Sequence, residues 1–129
     1  MKNLKTFKKF EFDVMCKILN RKQNYFNILF NQYNNSIIKK REFSKTGFFT
    51  SFTIDKNFPT IDEKSYFHVG DVIAKVNNND DIIGFVLFIK NGYIDMLEGY
   101  TFGESLFPEK IENYSLEYLK ENSTDISIT

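Results

Sequence analysis

The chain has 129 residues, 42% hydrophobic and 17% aromatic, with fifteen Phe and seven Tyr, which is enough for one packed domain and too apolar for disorder over most of its length. Seventeen Lys and Arg balance seventeen Asp and Glu, and a formal net charge of zero argues against a generic nucleic-acid binder held by phosphate contacts. The single Cys16 excludes an internal disulfide, no apolar h-region follows the basic start MKNLKTFKKF, and no window approaches ~18 apolar residues, so a cytoplasmic protein without a secretory signal or membrane span is expected.

From Phe7 to Leu19 the apolar residues Phe7, Phe10, Val14, Met15, Ile18 and Leu19 recur at helical spacing. Asn20-Arg21-Lys22 interrupts the pattern. A second helical stretch carries Tyr25, Phe26, Leu29, Phe30 and Tyr33 on one stripe, with Asn24, Asn27, Asn31 and Gln32 off it, and Asn34-Asn35 stops it. A helical hairpin is predicted. Ser36–Phe43 reads as an edge strand whose Lys39, Lys40 and Arg41 discourage edge-to-edge pairing. After the turn Ser44–Gly47, the run Phe48–Ile54 alternates, with Phe48, Thr50, Phe52 and Ile54 on one face and Phe49, Ser51 and Thr53 on the other.

Asp55–Phe67, with Pro59 and Asp62-Glu63, reads as a long loop or flap anchored by Phe58, Ile61, Tyr66 and Phe67. Val69–Val76 is a strand, and Asn77–Asp81 a polar turn. Next comes the strongest local signal: apolar segments flank Asn91-Gly92, the dipeptide best suited to a type I′ turn, so Phe85–Ile89 and Tyr93–Glu98 form a β-hairpin. Phe85–Ile89 is apolar at every position, so it belongs at the centre of a sheet with both faces covered. Phe102–Glu109 is irregular, Ile111–Leu119 reads as a short helical turn and a terminal strand, and 120–129 is a polar tail. The fold class expected is α+β: one domain over 1–129, helices within about 7–34 packed on one face of a five- to six-stranded, mainly antiparallel meander within about 36–119.

Charge is unevenly spread. Residues 1–56 hold twelve Lys or Arg against four acids, a balance of +8, and residues 57–129 hold five Lys against thirteen acids, a balance of −8. The halves either neutralise one another on folding or leave an acidic surface for a basic partner.

Few residues suggest reaction chemistry. His68 precedes Gly70-Asp71 and would serve as a general base if Asp71 oriented it, but no nucleophile accompanies it. Cys16 reads as a small residue near the core. No cysteine, histidine or carboxylate spacing suits a metal, the glycine pattern of a phosphate cradle is missing, and neither an enzyme nor a cofactor is expected. Asp95 and Glu98, three apart on a strand, point to opposite faces unless the strand is distorted. Lys39-Lys40-Arg41 with Phe43, Phe48 and Phe49 has the basic and aromatic texture of a nucleic-acid surface, although alternation assigns those rings to the core. Leu97–Glu104, LEGYTFGE, holds Gly99 as a bulge or close approach, Gly103 as a turn, and Tyr100 between Glu98 and Glu104 as an aromatic anchor in an acidic rim.

GFFTSF at Gly47–Phe52, GDVIAKV at Gly70–Val76 and GFVLFIKNGYIDMLEGYT at Gly84–Thr101, followed by Phe107-Pro108 where an aromatic such as Trp is expected before the proline, together resemble small bacterial α+β proteins of unassigned function. Chains of this style look like immunity proteins of bacterial polymorphic or contact-dependent growth inhibition toxins. That resemblance implies a non-enzymatic protein, monomer or weak homodimer, that covers the active site of a cognate toxin, a nuclease by charge. Asp71, Asp95, Glu98, Tyr100 and Glu104 are the expected partner-binding residues. The alternatives are a small ligand-binding domain or enzyme using His68 and the 55–67 loop, and a nucleic-acid module using the basic N-terminal half.

Overall fold

Two helices lie on one face of a six-stranded antiparallel sheet in the computed structural model, which describes residues 4–119. The polar tail expected over 120–129 lies outside the described residues. Helix α1 (Leu4–Leu19) buries Phe7, Phe10, Val14, Met15, Ile18 and Leu19, the whole stripe predicted, together with Glu11. It ends where the Arg21 Nε donates to the Ile18 carbonyl at 2.7 Å, satisfying one orphan acceptor of the last turn. Helix α2 (Asn24–Asn34) buries Phe26, Leu29 and Gln32 most deeply, with Tyr25, Phe30 and Tyr33 packed beside them. Its end is closed by the Asn35 amide nitrogen on the Asn31 carbonyl and the Ser36 hydroxyl on that of Tyr33.

The strands are β1 (Ile37–Phe43), β2 (Gly47–Thr53), β3 (Tyr66–Val76), β4 (Asp81–Lys90), β5 (Tyr93–Thr101) and β6 (Tyr114–Tyr118). Their spatial order is β1-β2-β5-β4-β3-β6, all neighbours antiparallel. This corrects the plain meander. The segment between β2 and β3 crosses two strand positions, β3-β4-β5 then returns to β2, and β6 closes the far side of β3. Strand β3 begins at Tyr66, inside the expected 55–67 loop, and Ile111–Asn113 is irregular, so the helical turn expected before β6 does not form.

Alternation sorts the sheet into two faces. On the inner one, Phe48, Leu97, Phe85, Ile83, Val72 and Ala74 meet the helices, with Phe10, Phe26 and Phe85 fully buried. Complete burial of a phenylalanine side chain contributes about 1.5–3 kcal/mol. The ring of Phe7 meets that of Phe48 edge-on at 4.8 Å, and Phe10 meets Phe85 at 5.8 Å.

Two buried polar residues tie the layers together. Glu11 accepts from Arg41 Nη2 at 2.6 Å and from the Thr50 hydroxyl at 2.5 Å, joining α1 to β1 and β2. Arg41 is therefore turned inward and is no edge guard. Gln32, expected off the apolar stripe, has no exposed surface. Its amide nitrogen donates to the carbonyls of Pro59 and Gly92, at 3.1 and 3.0 Å, and its Oε1 accepts the Ile94 amide at 2.9 Å. The Asn91-Gly92 turn has φ of 54° and 81°, as a type I′ turn requires. Thr60, Ile61 and Ser65 of the 54–65 segment bond Gly92, so that segment is fastened to the turn and is not a hinged flap.

Removing one member of the Glu11–Arg41 pair strands the other charge in a site from which water is largely excluded, the side chains being 4% and 12% exposed. Glu11→Ala should lower the unfolding free energy by about 3–5 kcal/mol in urea titration. Glu11→Met with Arg41→Met should recover most of that loss, because it leaves no orphaned charge.

Candidate functional site

The outer face of the sheet carries no helix among the described residues. Register places its side chains in rows across the strands. One row runs Glu42, Phe49, Glu98, Val86; the next runs Lys40, Ser51, Met96, Phe88, His68; a third runs Gly47, Tyr100, Gly84, Ile73, Glu117. Phe49, Met96, Val86, Phe88 and Ile73 are half-buried. The expectation that Phe85–Ile89 is covered on both sides is met only inside: Phe85, Leu87 and Ile89 are buried, while Val86 and Phe88 face outward.

Tyr100 and Glu98, two apart on β5, share this face as predicted. Gly99 between them marks a close approach: the Phe48 ring lies across it on the inner face, where a Cβ would stand within 2.9 Å of three ring atoms. On the outer face the Tyr100 ring lies across Gly84, where a Cβ would be 2.5 Å from Cζ. The Tyr100 ring stacks on Phe102 at 5.6 Å and 14°, and both remain exposed. Tyr100, Glu98, Phe49 and Glu42 border a cavity of about 310 Å³ at the β1–β2 turn. Glu104 follows in the exposed turn beyond Phe102, where Gly103 takes φ of 64°.

The remaining predicted positions lie elsewhere. Asp95 is the extra residue of a bulge, since Phe88 pairs with Met96 and Ile89 with Ile94. The strand is thus distorted between Asp95 and Glu98, yet some 10 Å of strand separates them. Asp95 borders a second cleft, of about 670 Å³, where β2 and β5 splay apart beyond the Ser51–Met96 pair. Asp71 sits at a bulge in β3 on the far side of the sheet, both carboxylate oxygens taken by Arg21, with side chains 14% and 9% exposed. It belongs to the scaffold, joining the end of α1 to β3.

His68 faces outward beside Phe88, ring centroids 5.9 Å apart. With its carboxylate committed to Arg21, Asp71 does not orient it. Burial, and then the charge of Asp13, push the Cys16 thiol up from its ordinary value, the reverse of activation. Among the described residues no three His, Cys, Asp or Glu side chains gather as a metal site would require, and no helix is long and apolar enough to cross a membrane. Of the three rings expected in the core, only Phe48 lies there, 2% exposed; Phe43 packs on Phe7, Phe48 and Phe107 but stays 38% exposed, and Phe49 faces outward.

Glu42 and Phe49 were not among the expected partner-binding residues. The signal that finds them is cross-strand register, which requires knowing that β2 pairs with β5. Comparison of the chain with protein-family models, curated proteins and solved structures finds no match in any of the three.

The two cross-strand glycines should respond differently to alanine. Gly99→Ala forces a buried ring to repack and should cost about 1–3 kcal/mol in urea unfolding. Gly84→Ala meets the free end of an exposed side chain, so it should cost under about 1 kcal/mol while displacing Tyr100, visible as changed aromatic cross-peaks in NMR.

Proposed function

We propose that the protein is a non-enzymatic binding protein that uses the outer face of its sheet, and that it acts as an immunity protein neutralising a cognate toxin. The observation that carries this reading is the half-buried apolar surface of Val86, Phe88, Met96 and Phe49, which no helix covers among the described residues, bordered by Glu42, Glu98 and Tyr100. A half-buried apolar centre with an aromatic anchor and a charged rim is the make-up of a protein-binding surface. Glu98, Tyr100 and Glu104 remain in the proposed contact set, Asp95 lies at its margin, and Asp71 leaves it because Arg21 occupies it.

The partner class follows from charge and from the resemblance carried by the Gly47–Phe52, Gly70–Val76 and Gly84–Thr101 motifs. Nuclease domains present basic surfaces to phosphates, and an acidic-rimmed face complements such a surface while obstructing substrate. A cytoplasmic location belongs to the same proposal, since a toxin acting on nucleic acid must be met there. A second reading, a ligand-binding domain, draws on the 670 Å³ cleft, where Lys39, Lys56 and Lys90 lie beside the 54–65 segment. His68 is not among the groups lining that cleft.

Co-expression with the toxin domain encoded by the adjacent gene should give a stable complex. Phe88→Glu should weaken it by at least about 30-fold in calorimetry, as expected for a central contact, with the melting temperature little changed. Failure to bind any neighbouring gene product, or full affinity in Phe88→Glu, would overturn the proposal.

A further inference from the structure

We infer that the cavity at the β1–β2 end of the outer face is a socket for an arginine side chain of a basic protein partner. This rests on the protein-binding reading of that face and specifies what enters it. Glu42 stands directly opposite Phe49 across β1 and β2, and Phe49 directly opposite Glu98 across β2 and β5. Directly opposed residues share a face, so the two carboxylates flank the Phe49 ring, about 10 Å apart across two strand spacings. Tyr100 supplies a wall, and Gly47, where a side chain would collide with the Gly99 backbone, lets β2 and β5 close together beside it.

An aromatic floor between two carboxylates matches a guanidinium better than an ammonium. The planar group stacks on a ring face while its edges donate to acceptors on either side, and it sheds water more readily. A phosphate or acidic peptide meets two like charges here. Among the described residues Glu98 makes no ion pair. Glu42 pairs with Lys40 at 2.9 Å, both side chains being at least 46% exposed. Such a pair contributes little and yields to a better-fitted cation. It also shows that Glu42 already accepts a positive charge, that of Lys40 in the adjoining row.

The test uses the whole protein and a small probe, independent of any toxin. Isotope-labelled protein is titrated with N-acetyl-arginine methylamide and, as the neutral counterpart, N-acetyl-citrulline methylamide. Arginine should give saturable amide shifts confined to Glu42–Phe49 and Glu98–Tyr100, at least about fivefold tighter than citrulline. Glu98→Gln and Glu42→Gln should each weaken it about threefold, and Asp80→Asn, in the β3–β4 turn away from the cavity, should leave it unchanged. Shifts scattered over exposed acids, equal shifts with citrulline, or indifference to Glu98→Gln would overturn the socket. A socket that takes arginine while no neighbouring gene product binds removes the immunity reading alone; a bound toxin with a silent arginine probe removes the socket alone.

Discussion

Two helices of 16 and 11 residues cannot wrap a six-stranded sheet. At 1.5 Å per residue they reach about 24 and 16 Å, sufficient to roof one face and no more. Apolar residues of both parities in β4 therefore meet different fates. Phe85, Leu87 and Ile89 enter the core, while Val86 and Phe88 stand on a face that no helix covers among the described residues. The continuous apolar run thus serves two surroundings, a buried core on one side and, in the proposed reading, a partner surface on the other. The proposed function grows from this shortage of cover.

The core beneath the helices is not purely apolar. Glu11 and Gln32 reach through it to backbone and side-chain groups on the sheet, each with its hydrogen-bonding capacity engaged. Such groups add less to stability than apolar replacements of similar shape do, because their desolvation offsets much of the gain. Their role is positional. A phenylalanine stripe allows α1 to slide along the sheet, whereas a carboxylate that must meet both Arg41 and Thr50 permits one placement. Aromatic packing supplies the cohesion and the two polar contacts supply the register. The same division holds for Arg21, which closes the end of α1 and at once fastens it to β3 through Asp71.

Features decided by neighbours in sequence were legible before any coordinates. The α1 stripe, the alternation of β2 and the Asn91-Gly92 turn each rest on local chemistry and stand as expected; β1 is an edge strand as expected, but its Arg41 turns inward. The strand order was not legible, because hairpin-length turns suggest a meander and nothing in the 54–65 segment announces that it crosses two strands. Glu11 and Gln32 were missed for a related reason: a polar residue on a helix reads as solvent-facing unless its distant partner is known. For the candidate site, alternation alone places Glu98 and Tyr100 on one face. It does not reveal that Asp71 is claimed by an arginine fifty positions earlier, nor that Glu42 and Phe49 stand beside Glu98.

Gln32 has a further consequence for motion. Its one side chain joins α2, the 54–65 segment, the β4–β5 turn and the start of β5, four pieces dispersed over some sixty positions of the chain. None can loosen without leaving a buried amide unsatisfied, so this end of the molecule opens as a unit, with amide protons at Gly92 and Ile94 exchanging in step. The arginine socket lies toward the other end of β5, beyond the bulge at Asp95. Breathing at one end is thereby insulated from the surface presented at the other.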